Sequence, residues 1–152
     1  MNKLILFIVF LIAIVGGAWY LVSPAFKVVE INEESPLIAK EGIALQASAQ
    51  GNFIASAHDV TGKAFLIPQD GNKILRFENF ETINGPDLHI YLSKDLGGED
   101  YIDLGKIKAT RGNVNYDVPS DIDITKYNKV LVWCAPFKVL FSYAELELVN
   151  IL

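Results

Sequence analysis

Val130-Leu131-Val132-Trp133-Cys134 is a continuously apolar run of five residues. A strand with one face in water alternates apolar and polar residues, so this run indicates a central strand that is covered on both faces. Pro136 follows closely and cannot donate to a strand ladder. We therefore expect a β domain with a strand at Lys129–Cys134, so that Cys134 lies at a strand end, beside a turn.

Similar β-rich runs recur from residue 42 onward, and no stretch there keeps helical periodicity for three turns. Turn-forming residues such as Thr61-Gly62 and Asp70-Gly71-Asn72 separate them. About eight to ten short strands at this spacing predict an all-β fold, an antiparallel β sandwich or barrel. The other expected strands are Gly51–Ala57, Gly62–Ile67, Lys73–Phe80, Asp87–Leu92, Asp103–Ala109, Val114–Val118 and a run from Phe137 to about Leu148.

The N-terminus carries a different signal. Residues 4–22 contain no charge, and a helix of 19 residues spans roughly 28 Å, close to the ~30 Å hydrocarbon core of a bilayer. Trp19 and Tyr20 fall near its far end, where aromatic side chains favour the headgroup layer. Because Lys3 precedes the run, we expect a single-pass signal-anchor with a cytoplasmic N-terminus and an extracytoplasmic domain.

A cleaved signal peptide is the alternative, since Ser23-Pro24-Ala25 offers small residues at a suitable position. The apolar stretch exceeds the ~7–15 residues usual for signal peptides, which favours the anchor. The resulting organisation is a transmembrane anchor at 1–22, a linker at 23–41 and a β domain at 42–152. Within the linker, Val28, Val29 and Ile31 offer a short strand that packs on the domain.

Charge and cysteine content exclude several classes. The 152 residues have a formal net charge of -5, and Lys3 is the one charged residue among the first 22. The domain is therefore acidic and has no general attraction for nucleic acid. A single cysteine rules out an intramolecular disulfide and any multi-cysteine zinc or iron–sulfur site. No hydrolase or transferase motif is present.

Short matches running in order through residues 51–146 resemble the DM-thirteen domain, a single-cysteine extracytoplasmic domain also found beside DOMON domains. The resemblance implies a β-rich domain with a proposed electron-transfer or redox role centred on its cysteine, which corresponds to Cys134. The matching residues are Gly51-Asn52-Phe53, His58, Gly62, Ala64, Phe77-Glu78-Asn79-Phe80, Thr82, Gly85-Pro86-Asp87-Leu88, Tyr91-Leu92, Leu104-Gly105, Ile107-Lys108, Gly112, Tyr116, Pro119, Trp133-Cys134, Phe137, Val139, Phe141, Ala144 and Leu146.

Three roles for Cys134 stay open: inert packing, a functional thiol, and metal ligation. Cysteine is among the most buried residue types, which favours packing. A functional thiol reacts as its thiolate, and His58 is the candidate neighbour that would assist it. Trp133, Phe137 and Phe141 would shield the sulfur and present aromatic surface to a partner. One thiol can form a mixed disulfide with a partner or ligate a cofactor iron.

A copper centre would draw on His58, His89 and Cys134. Nothing after Cys134 supplies a further histidine or methionine, and His89 alternates with Leu88 and Ile90 as a solvent-facing strand residue does. Gly85-Pro86-Asp87 is expected to form a turn rather than to provide a catalytic carboxylate.

Two functions follow. The first is an anchored extracytoplasmic electron-transfer or thiol-redox domain whose partner is another membrane-associated redox protein. The second is a non-redox binding or adhesion module in which Cys134 is purely structural. The sequence does not identify a cofactor, and it favours a redox protein over an enzyme with a hydrolytic mechanism.

Overall fold

A computed structural model describes residues 2–22, 27–36, 47–69 and 71–149. Ser23-Pro24-Ala25 and Asp70 lie outside these ranges. The described residues form a helix and ten strands. They are α1 (Lys3–Val22), β1 (Glu30–Asn32), β2 (Ala49–Ala55), β3 (Val60–Gln69), β4 (Asn72–Thr82), β5 (Leu88–Ser93), β6 (Tyr101–Lys106), β7 (Arg111–Val118), β8 (Lys129–Cys134), β9 (Val139–Glu145) and β10 (Glu147–Leu148).

The strands join in one curled sheet with the order β1-β7-β4-β3-β2-β9-β8-β5-β6, and β10 pairs with β2. Strand β2 changes partner along its length: residues 49–52 pair with β3, and residues 53–55 pair with β9. The sheet therefore has two halves that meet at β2. Buried side chains from both halves form one core, which confirms the all-β class expected from the sequence.

The sheet is mixed rather than purely antiparallel, which corrects one detail of that expectation. Strand β1 pairs in parallel with β7, in the register Glu30↔Arg111 to Asn32↔Asn113, while the other pairs are antiparallel. A hairpin forces antiparallel pairing, but β1 and β7 are separated by most of the domain, so no tight turn dictates their direction. The stretch expected to be a linker thus contributes a strand to the sheet.

The predicted and observed strand bounds agree at β8 and differ in the run that follows it. Strand β8 has the predicted bounds Lys129–Cys134. The long final run instead begins at Val139, because residues 135–138 form a turn in which Lys138 adopts a positive φ of 52°, and it is divided at Leu146 into β9 and β10. Phe137 therefore lies in the turn and not in a strand, as expected when Pro136 removes a ladder donor.

Helix α1 is long and apolar enough to cross a membrane, and its large apolar side chains are exposed in the structure. A signal sequence has the same properties, so length and composition do not separate the two. The helix matches the apolar segment expected from the sequence.

A buried arginine fixes the segment after α1 to the sheet. Arg76 is 4 % exposed, and its Nη1 donates to the carbonyl oxygens of Glu33 at 3.3 Å and Glu34 at 3.1 Å. Its Nε donates to Glu78 Oε1 at 2.7 Å, which balances the buried charge. The chain around β1 is therefore tied to β4 by backbone carbonyls as well as by strand pairing.

Gly112 provides the test of this docking. Its φ is 113°, and a Cβ there would overlap the carbonyl oxygen of Ile31 in β1. Gly105 has a similar φ of 105° with nothing within 4 Å of its Cβ position, so it is the matched control. A side chain at such a φ costs about 1–3 kcal/mol in either place.

We expect Gly112→Ala to lower the free energy of unfolding further than Gly105→Ala and to remove amide exchange protection at residues 30–32. Denaturant titration and hydrogen exchange of the full chain in detergent measure both effects. Equal stabilities with β1 still protected in Gly112→Ala would contradict the docking described here.

Candidate functional site

Cys134 is the last residue of β8, at the point where strand pairing gives way to the turn at 135–138. It is 1 % exposed and belongs to the core cluster. Its Sγ donates a hydrogen bond to the carbonyl oxygen of Pro86 at 3.2 Å. Because a carbonyl oxygen only accepts, the sulfur makes this contact as the protonated thiol.

The turn at Gly85-Pro86-Asp87, which the sequence predicted, supplies that acceptor. Asp87 has a positive φ of 54°, and its carbonyl oxygen accepts the backbone N–H of Ala135 at 3.2 Å. Two consecutive carbonyl groups of this turn thus hold Cys134 and the residue after it. The backbone of this turn therefore holds Cys134 in place. The Asp87 side chain instead contacts His89 and Lys106.

A cavity of about 270 Å³ opens beside the sulfur. Its wall is almost wholly apolar, with one imidazole. The lining residues are His58, Ile83, Asn84, Gly85, Pro86, Cys134, Phe137, Val139 and Phe141. The cysteine is therefore buried without being sealed, since it lines a cavity that also contains a histidine.

Phe141 and the backbone hold His58 at this cavity. The imidazole packs on the Phe141 ring with centroids 4.0 Å apart, and the backbone N–H of His58 donates to the Phe141 carbonyl oxygen at 3.1 Å. Phe141 is in turn crowded by Gly85, where a Cβ would lie 2.7 Å from the ring Cζ. The absence of a side chain at Gly85 therefore leaves room for the Phe141 ring and for the His58 imidazole packed on it.

The structure brings His58, Phe137 and Cys134 to one cavity, as the candidate site requires. Trp133 is not part of it, because neighbouring strand residues point to opposite faces. Its indole lies in a second cavity of about 440 Å³ with Tyr91 and Tyr101. The expected shielding of the sulfur comes from Phe141 and Phe137, not from Trp133.

The second cavity contains a stack of aromatic rings. Tyr91 and Tyr101 have centroids 4.0 Å apart and planes at 15°, and Trp133 lies 6.2 Å from Tyr91. Burial, followed by the hydrogen bond to Tyr101, raises the pKa of Tyr91 to about 12. Tyr91 is thus a neutral phenol throughout the physiological pH range.

His89 lies on the same outer face as Trp133, with which it pairs across β5 and β8. It is only 17 % exposed, because Nδ1 contacts Asp103 at 2.9 Å and Nε2 lies 3.5 Å from Asp87. Lys106 completes the cluster, and its hydrogen bond holds the pKa of Asp87 below its usual range.

The conceivable copper set of His58, His89 and Cys134 is therefore split between two faces of the sheet. Among the described residues, no group of three or more histidine, cysteine or acidic side chains is placed to hold a metal ion.

Several wall residues were missed from the sequence. These are Ile83 and Asn84, which precede the Gly85-Pro86-Asp87 turn, and Val139, which begins β9. Phe141, also in β9, was expected to shield the sulfur and lines the same cavity. The register Leu88↔Cys134 brings the Gly85-Pro86-Asp87 turn, and the residues before it, to the end of β8. The sequence carries no signal for this register.

Gly85→Ala tests the packing that positions His58. The new Cβ would displace the Phe141 ring, so we expect altered ring-proton chemical shifts for His58 and a loss of stability of about 1–3 kcal/mol. Gly97→Ala is the control, since its Cβ would meet only the Asp95 carboxylate at 3.2 Å. Unchanged His58 shifts in Gly85→Ala would contradict this packing. NMR of selectively labelled histidines provides the measurement.

Comparison with known proteins adds one match. A family model described as "Electron transfer DM13" matches residues 52–146, which is more than half of the chain and includes both His58 and Cys134. No curated protein and no solved structure matches the chain. The extent of the family match shows that this chain belongs to the electron transfer DM13 family.

Proposed function

We propose that this chain is a membrane-anchored electron-transfer domain on the extracytoplasmic side, in which the thiol of Cys134 is the reacting group and His58 assists it. The observation that supports this most is the shared cavity, whose mostly apolar lining includes both Cys134 and His58. The description of the family as an electron-transfer domain supports the redox class.

The site suits exchange with a small group rather than with a broad protein surface. Cys134 is 1 % exposed, so a reactant has to enter the cavity to reach the sulfur. In thiol exchange, the thiol proton passes to the His58 imidazole and the thiolate attacks one sulfur of the partner's disulfide. The products are a mixed disulfide at Cys134 and a thiolate on the partner. This thiolate then takes the proton from the His58 imidazolium. The partner is a membrane-associated redox protein that inserts a disulfide-bearing group into the cavity, or a disulfide-bearing small molecule.

Phe137 and His58 have distinct parts in this proposal. Phe137 is 69 % exposed and stands over the cavity from the turn that follows Cys134. It is the aromatic surface that a partner meets first. His58 is a positioning and proton-accepting residue, and Trp133 is left outside the reacting site.

A non-redox binding module remains the second candidate, because the near-complete burial of Cys134 in the core cluster favours a structural cysteine. The two candidates differ in one observable property. A reacting thiol is modified in the folded protein, whereas a structural thiol is modified only when the protein unfolds.

Thiol labelling of the full chain distinguishes them. We expect methyl methanethiosulfonate, which is small and uncharged, to modify folded Cys134, and a bulky maleimide dye to be excluded. His58→Phe should slow the small reagent by about tenfold or more, since general-base assistance is lost. Phe137→Ala should admit the larger reagent, because it opens the mouth of the cavity.

Cys134 can also be modified when the whole protein unfolds. Modification by that route does not depend on the size of the reagent. If both reagents react at one rate, and that rate follows the stability of each variant, the thiol is structural. That result would contradict the redox proposal and favour the binding module.

The anchor has its own test. An uncleaved signal-anchor leaves the native protein with its full-length mass and resists extraction from membranes by alkaline carbonate. A protease added outside intact cells should remove the domain and leave the N-terminal tail protected. A mature protein beginning near residue 26 would contradict the anchor.

A further inference from the structure

The Cys134 cavity is tied to the segment that leaves α1. Asn84 lines the cavity, and its Nδ2 donates to the carbonyl oxygen of Lys27 at 3.2 Å. Helix α1 ends at Val22. Five residue steps reach at most about 18 Å even when fully extended. Lys27, which is bonded to the cavity wall at Asn84, therefore lies close to the end of α1.

The segment is held there at further points. The backbone N–H of Val29 donates to Thr110 Oγ1 at 3.0 Å, and the Thr110 N–H donates to the Val29 carbonyl oxygen at 2.8 Å. Arg76 and the pairing of β1 with β7 hold the residues that follow. Lys27 and the residues that follow it are thus held at a fixed place on the domain.

Large apolar side chains are exposed around this place. Phe137 is 69 % exposed and Ile83 is 44 % exposed, and both line the cavity. Val28 is 59 % exposed and follows Lys27, the residue bonded to Asn84. We call these three side chains the apolar lip. Exposed apolar groups that lie together beside a cavity indicate a contact surface.

Charge contributes little to this surface. Lys27 and Lys138 are exposed beside Val28 and Phe137, and basic residues favour anionic headgroups. Asp59, which follows His58, is exposed and opposes them, whereas Asp87 is paired with Lys106 at 2.5 Å. The attraction to a surface therefore rests on the apolar side chains.

We propose that the apolar lip inserts into the interfacial layer of the same bilayer that α1 spans, so that the Cys134 cavity opens toward the membrane surface. This rests on the anchor in the proposed function. The occupant of the lip is lipid, because the chain keeps Lys27, the neighbour of Val28, within about 18 Å of the helix end, and Asn84, the neighbour of Ile83, is bonded to Lys27. A reactant of Cys134 would then be lipid-soluble or held at the membrane.

Spin-label accessibility tests the insertion. The full chain carrying Cys134→Ser is labelled at Phe137→Cys and reconstituted into phosphatidylcholine–phosphatidylglycerol nanodiscs. The control is Asn72→Cys, which is exposed at the start of β4, at the opposite end of the β3–β4 hairpin from Ile83. We expect the ratio of oxygen to nickel-chelate accessibility to be several-fold higher at position 137 than at position 72.

Hydrogen exchange of the unmodified chain provides a second measurement that does not depend on the variants. The amides of Ala135, Phe137 and Lys138 should exchange more slowly in nanodiscs than in detergent. The exchange rates of the amides at 71–72 should be the same in both. Alkaline carbonate extraction of the same protein from vesicles reports on the anchor separately.

The outcomes are distinct. A protein that resists extraction but shows nickel-favoured labels at both positions, with no change in exchange at 135–138, overturns the insertion and leaves the anchor standing. A protein released by carbonate overturns both. Oxygen-favoured labelling at 137 with slower exchange of that turn supports the insertion.

Discussion

Two consecutive carbonyl groups, those of Pro86 and Asp87, hold the end of β8, and the candidate site depends on them. One accepts from the Cys134 thiol at 3.2 Å and the other from the Ala135 N–H at 3.2 Å. Their placement requires the positive φ of Asp87, a conformation that aspartate tolerates better than most residues. Because these contacts fasten the turn before β5 to the end of β8, the sulfur is kept at the wall of a cavity and is not free to rotate into the core.

The same arrangement places a buried cysteine next to open space. Cys134 contributes to the core on one side, so it adds to stability as any small apolar residue does. On the other side the chain turns away at Pro136, and the absence of a continuing strand leaves space that Phe137 covers only in part. His58 reaches that space from the bend between β2 and β3, where its ring packs on Phe141. The position of the site is therefore determined by where strands end, and the segment after α1 meets the domain at the same place through Asn84 and Lys27.

The sequence predicted the parts of this structure that depend on local pattern. The apolar run at 130–134 indicated a central strand and gave its bounds, and Pro136 indicated the strand end at Cys134. It did not predict the parallel pairing of β1, because direction there is set by distant contacts such as Arg76 with the Glu33 and Glu34 carbonyls. It also could not separate the two faces of β8: Trp133 was expected beside the sulfur, although alternation along a strand sends it to the opposite side. Asn84 and Ile83 escaped notice because loop residues acquire their neighbours only through the register of β5 against β8.

Voltammetry most directly tests the central claim that Cys134 exchanges electrons. The full chain, purified from native membranes, is compared with its Cys134→Ser variant in the same detergent. With a small disulfide present, the account predicts a redox wave in the unaltered chain, from two-electron reduction of the mixed disulfide at Cys134 to the Cys134 thiol and the thiol of the small molecule. This wave should be lost in the variant, while both proteins keep the same β-sheet circular dichroism. Identical voltammograms for the two proteins would contradict it and leave Cys134 as a packing residue.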